Sequence, residues 1–344
     1  SDLQVDRAYV DVDTQFVKVS AGLQFVPVGQ GQVFRDNQPA LQLTSKTGSP
    51  VDIRLAWIKV NEGIAGDESS SDRLNDEDLY EDTDRYVAEV SYNADTMKLN
   101  VFYVAQTDGS SGDVTDPDTA EVTSYYEDEP WVAGLRFQGE FGAITCHGEL
   151  AQFGGENGDN VDYTGTQVNV NGQYSLSDTL TLGVDLFYSS AQGEDEIKLT
   201  KMGNPFANYD IRYGGSMGWG GLTWAASNNH LYSSTPSGGA LPGDVFDPFD
   251  TGAGSMGGGI GAMFLPMEKV TLVGLLHYMT AADDDIEGVT GEFESGSNLL
   301  LAAVYEVAPN ADLHAVYQRV DATFTDDVDP DASSLYGLGL CVKF

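Results

Sequence analysis

Basic side chains are scarce in this sequence: 16 Lys and Arg stand against 54 Asp and Glu, for a formal net charge of −38. Binding driven by phosphate neutralisation needs the opposite sign, so nucleic acid is excluded as a partner. Cysteine is nearly absent, and the wide separation of Cys146 and Cys341 gives neither a disulfide framework nor a metal-ligand spacing. No apolar run approaches the roughly 20 residues that a spanning helix requires. No leader pattern opens at Ser1, so an exported protein would be present here in mature or trimmed form. If the chain crosses a membrane, strands must do it. Catalytic motifs are missing as well: there is no G-x-S-x-G, no H-E-x-x-H and no phosphate-cradling glycine loop. His147 and Glu149 share one strand face and Asp185 could approach them, but the histidines lack a recognisable nucleophile. A protein that is not an enzyme and carries no cofactor is expected.

What the sequence has is alternation. Hydrophobic residues make up 41% and aromatics 10%, with 40 glycines, too apolar a mixture for a disordered chain. Read with period two, it resolves into about fifteen segments of roughly ten residues, the length a tilted strand needs to cross an outer membrane. In Met97–Gln106, the set Met97, Leu99, Val101, Tyr103 and Ala105 alternates with Lys98, Asn100, Phe102, Val104 and Gln106. Val168, Val170 and Tyr174 likewise alternate with Gln167, Asn169, Asn171 and Gln173. Further segments run over 17–25, 51–60, 86–93, 131–138, 144–153, 180–189, 270–280, 298–306, 313–320 and 335–344, with less regular ones at 5–12, 40–44 and the glycine-rich 252–264.

Connections separate a barrel from a soluble sandwich, because membrane barrels have short turns at one end and long loops at the other. Short turns are expected at 13–16, 45–50, 94–96, 140–141, 175–178, 266–268 and 308–311. Long links fall between them, at 26–38, 61–84, 107–129, 154–162, 191–251, 281–291 and 321–332. Acidic residues concentrate in the long links, which marks that side as extracellular and the turn side as periplasmic. The expected fold is all-β: a single transmembrane antiparallel up-and-down β-barrel over 1–344, with about 16 strands in a range of roughly 14 to 18. Parity adds an expectation. The first and last visible strands both descend and cannot close an antiparallel seam, so at least one ascending strand is expected before Ser1.

The last strand, Tyr336-Gly-Leu-Gly-Leu-Cys-Val-Lys-Phe344, carries Tyr336, Leu338, Leu340, Val342 and Phe344 on one face. It resembles the C-terminal strand of Gram-negative outer-membrane proteins, whose terminal Phe is read by the assembly machinery. The segment Val5-Asp-Arg-Ala-Tyr-Val-Asp-Val12, followed by Val19 to Phe25 and by Pro39 to Val60, is similar to strand pairs of phosphate-selective and alginate-export porins. The resemblance implies a pore in the bacterial outer membrane, surrounded by lipid and lipopolysaccharide and often a homotrimer. One feature departs from that group: such porins line the lumen with arginine and lysine, which this chain has few of, so an anion-specific channel is not expected.

With the apolar sets facing lipid, the lumen receives Arg7, Asp11, Lys18, Asp52, Arg54, Glu89, Lys98, Arg136, His147, Glu149, Asp185, His314 and Gln318. Opposed rows of basic and acidic groups would set a transverse field that filters solutes; the plainer alternative is a solvated wall. The 191–251 link is longer than a connection needs and carries Tyr209, Arg212, Trp219 and Trp224, candidates for a constriction folded into the mouth, against an external flap. Asp326, Asp327, Asp329 and Asp331 could hold Ca²⁺, although a solvated acidic surface explains them as simply. Cys146 falls on the lipid face and Cys341 on the lumen face, which argues against a bond. The function expected is passive diffusion of small hydrophilic solutes or ions with a cation preference. The alternative is a structural or adhesive surface barrel whose acidic loops bind a partner or divalent cations.

Overall fold

The computed structural model describes residues 7–28, 34–46, 48–61, 83–108, 112–115, 122–125, 129–157, 161–191, 196–198, 254–282, 293–324 and 332–342. These form nineteen strands. The first six are β1 (Ala8–Asp13), β2 (Val17–Val28), β3 (Phe34–Ser45), β4 (Val51–Asn61), β5 (Thr83–Asn93) and β6 (Met97–Asp108). Two short strands follow, β7 (Gly112–Thr115) and β8 (Val122–Tyr125), then β9 (Trp131–Phe141), β10 (Ile144–Gly154), the two-residue β11 (Glu156–Asn157) and β12 (Val161–Ser177). The series continues with β13 (Leu180–Ser189), β14 (Glu196–Lys198), β15 (Ser255–Met267), β16 (Val270–Thr280), β17 (Phe293–Ala308), β18 (Ala311–Phe324) and β19 (Ser333–Val342). Without the four shortest, fifteen long strands remain, as the alternation predicts.

Each long strand pairs antiparallel with its neighbour in sequence wherever a register is defined, for example Arg54↔Glu89 between β4 and β5 and Leu275↔Leu300 between β16 and β17. Sequential antiparallel pairing needs only hairpins, so the chain runs up and down without crossovers. Backbone bonds stitch the short turns to the neighbouring hairpin, as from Lys46 N to Phe16 O (2.6 Å) and from Glu306 N to Lys269 O (2.9 Å). Among the described residues a small parallel ladder joins β12 and β14.

Several sequence boundaries need correction. The 26–38 link is largely strand: β2 continues to Val28 and β3 starts at Phe34, with Val26↔Asp36 and Phe25↔Asn37 in register. The 107–129 link contains the β7–β8 hairpin, 154–162 contains β11, and β14 lies within 191–251. The turns expected at 140–141 and 175–178 sit at Gly142–Ala143 and Asp178–Thr179, because the strands run on beyond the last apolar residue of their alternating sets. The glycine-rich segment is a full strand, β15, tightly paired on both sides.

Contacts divide the chain into two compact units: one gathers Ser1–Arg136, Ala151–Gly165 and Gly193–Ala207, the other Phe137–Leu150, Thr166–Gln192 and Asn208–Phe344. Each has the same inverted polarity. In the first unit, Ile53, Leu55, Trp57, Tyr86, Val101 and Tyr103 are exposed while Ser20, Gln24, Arg85 and Glu89 are buried. In the second, Val184, Leu186, Ile260, Leu276 and Tyr278 are exposed while Asn169, Asn171, Asp185, His277 and Gln318 are buried. A water-soluble sheet turns its apolar residues to the core. Continuous exposed apolar faces of this extent are stable only against lipid or another apolar partner.

Aromatic residues stand on the exposed face, some mid-strand, as Trp57 and Tyr103, and some near a strand end, as Tyr92 and Tyr305. Trp57 is opposite Tyr86, and the Tyr103 and Trp131 rings stack with centroids 6.2 Å apart. Tyr305 lies opposite Leu313 beside the turn end of β17 and β18. Aromatics near a strand end suit the water–lipid boundary, where one end of the ring is wet.

Candidate functional site: the buried polar face

Period two places Lys18, Asp52, Arg54, Glu89, Lys98 and Arg136 on the covered face of the first unit, because they share parity and register with Ser20, Ala56, Val87, Phe102 and Val132. Charges there are matched locally. Lys18 Nζ lies 2.8 Å from Asp11 Oδ2, and Ser20 Oγ donates to Asp11 Oδ1 at 2.5 Å. Arg54 pairs with Glu89 and donates through Nη2 to the Pro27 carbonyl at 2.5 Å. Asn93 Nδ2 donates to Asp52 Oδ2 at 2.9 Å. Basic and acidic groups are interleaved here, Lys18 beside Asp11 and Arg54 beside its register partner Glu89. Lys98 is exposed beside its short turn.

Arg7 departs from its expected place. Its guanidinium lies 4.9 Å over the Phe25 ring, and Nε donates to Asn37 Oδ1 at 3.0 Å. Phe25 and Asn37 are register partners of the same parity as the exposed Leu41, so Arg7 covers an aromatic on the apolar face rather than joining the polar one.

The sequence reading also missed an apolar stretch on the covered face. Val26, Val28, Ile58, Val87, Phe102 and Val104 pack into one buried cluster, joined by Val132 and Phe153. The signal was present: Phe102 and Val104 stand in the polar set of β6, so that strand is apolar on both faces toward its loop end. Gly134 makes room for it, since a Cβ there would meet Phe102 Cζ at 2.0 Å.

The second unit brings His147, Glu149, Asp185 and His314 to its covered face; Glu149, Asp185 and His314 are buried and His147 partly so. Asp185 has a partner that sequence reasoning overlooked. His277 Nε2 approaches Asp185 Oδ1 to 3.1 Å, with both side chains fully buried. The contact crosses Gly259, where a Cβ would meet the His277 ring at 2.1 Å and Asp185 Oδ1 at 2.6 Å. The pair therefore needs glycine between its members. Parity with Leu275 and Met279 would have placed His277 on this face. Registers Asn171↔Asp185, Asp185↔Gly259, Gly259↔His277 and His277↔Asn298 set these residues in one row across five strands. Gln318 Nε2 extends it by donating to Asn298 Oδ1 at 3.0 Å. Among the described residues, no cluster of side chains suited to a metal ion occurs. Tyr209, Arg212, Trp219 and Trp224, and the Ca²⁺ candidates Asp326, Asp327, Asp329 and Asp331, lie outside the described residues.

No protein-family model and no curated protein sequence matches the chain. Solved structures do. OccK5 (OpdH) of Pseudomonas aeruginosa is similar at 12% identity, and OccK2 (OpdF) of the same organism, in complex with glucuronate, at 13%. Both have a TM-score of 0.50 and cover 98% of this chain and 81% of their own. The fold is a transmembrane antiparallel up-and-down β-barrel. A BenF-like porin from Pseudomonas fluorescens Pf-5 is similar at 12% identity and a TM-score of 0.48, over 97% of this chain and 77% of its own. In a barrel of this class the exposed apolar face meets lipid and the polar face meets the lumen. No helix among the described residues is long and apolar enough to span a membrane.

Proposed function

We propose that this barrel is a porin of the bacterial outer membrane, a water-filled channel for passive diffusion of small hydrophilic solutes. The inverted polarity of both units carries the reading: charged and amide side chains on the covered face, large apolar side chains on the exposed one. A cation preference follows from the net charge of −38, which lowers the potential at the mouth. A phosphate-type filter would call for unopposed basic groups, whereas Lys18 and Arg54 each sit beside a carboxylate. Assembly as a homotrimer within lipid and lipopolysaccharide is the matching proposal for partners, checked by cross-linking in native membranes.

Planar-bilayer recording of the purified, heat-modifiable barrel tests the function. Stepwise conductance in KCl, with a reversal potential on the cation side in a salt gradient, is expected. A folded barrel that passes no current would overturn the channel and favour a structural or adhesive role. Strong anion selectivity would overturn the cation preference alone.

A further inference from the structure

The covered face of the second unit holds polar groups in excess of their internal partners. Both side-chain atoms of Asn169 and Asn171, the Ser189 hydroxyl, both His277 ring nitrogens and Asn298 Nδ2 are buried without a hydrogen bond. Asp185, 3.1 Å from His277 Nε2, adds a carboxylate to this polar set. Leaving such groups unsatisfied costs on the order of 1–3 kcal/mol each, so a fold that concentrates them has another partner for them. They are not scattered. Asn171, Asp185, His277 and Asn298 share the five-strand row, about 19 Å across at ordinary strand spacing. Asn169 and Ser189 lie two and four positions further along the same face of β12 and β13.

The chemistry of this set is selective. A carboxamide both donates and accepts, as does a hydroxyl, and a neutral imidazole does so through its two nitrogens. That matches solute hydroxyls, which also do both. An anion would meet Asp185 and, among the described residues of the second unit's covered face, no lysine or arginine. A desolvated cation would find one carboxylate in the row, already beside a histidine. We propose that the Asn171–Asp185–His277–Asn298 row is a binding station for small neutral polyhydroxylated solutes, sugars or polyols, on their way through the channel. This rests on the channel reading and adds the solute class.

The probe is D-glucose, with gluconate and glucosamine as charged analogues, titrated calorimetrically onto the folded barrel in detergent while KCl conductance is recorded separately in bilayers. Saturable glucose binding in the millimolar range is expected, at least about tenfold tighter than gluconate. Asn171→Leu with Asn298→Leu should weaken it at least about tenfold while KCl conductance changes less than about twofold. Should that variant lose heat-modifiable migration, Asn171→Asp with Asn298→Asp replaces it; added negative charge then shifts preference from glucose to glucosamine. Glucose binding that is absent, or equal in wild type and variant, overturns the station while KCl conductance leaves the channel standing. Absence of KCl conductance overturns the channel reading itself.

Discussion

Ile260→Arg tests the orientation of the whole sheet. Ile260 is 63% exposed and lies mid-strand in β15, opposite Val184 on one side and Leu276 on the other. If that row faces hydrocarbon, a guanidinium there sits near the bilayer midplane, where the substitution costs about 2–4 kcal/mol, or roughly 30- to 900-fold in the unfolding equilibrium. Met267 is equally exposed, at 63%, but adjoins the short turn at Glu268–Lys269. Met267→Arg should cost only about 0–1 kcal/mol, since the side chain reaches headgroups and water. Urea or guanidinium titration of the barrel in phospholipid vesicles, followed by tryptophan fluorescence and heat-modifiable migration, measures both. A soluble sheet would tolerate arginine equally at either exposed site. Equal, small effects at the two positions would therefore refute the assignment of the exposed face to lipid.

Other expectations follow from single contacts. Arg54→Ala strands the buried Glu89 carboxylate and should destabilise by on the order of 3 kcal/mol, whereas Arg54→Met with Glu89→Leu should recover most of the loss in the same titration. Gly134→Ala drives a methyl into the Phe102 ring and should cost about 1–3 kcal/mol, with Phe102→Leu as its suppressor. Gly259→Ala should separate Asp185 from His277, seen as a changed imidazole proton shift in the NMR spectrum; an unaltered His277 signal would deny that the glycine holds the contact. Removing Ca²⁺ with a chelator tests the acidic loop candidates, and unchanged thermal stability would count against a bound ion.

Part of this protein is legible in its sequence. Alternation with period two and the short turns determined the strand class, the up-and-down order and the two sets of each strand, because side-chain direction in a strand is a local property of the backbone. Parity sent Asp185, Glu149 and His314 to the covered face for the same reason. Register was not local. Which residue stands opposite which depends on where each hairpin closes, and the turns at Gly142–Ala143 and Asp178–Thr179 fall later than composition suggests. Tertiary pairing alone decided that Arg54 meets Glu89, that Arg7 leaves the polar face for Phe25 and Asn37, and that Phe102 and Val104 join a buried apolar cluster. It also brought His277 across Gly259 to Asp185. Those two residues lie far apart in the chain, and only strand pairing, with a glycine between them to leave the space, makes them neighbours.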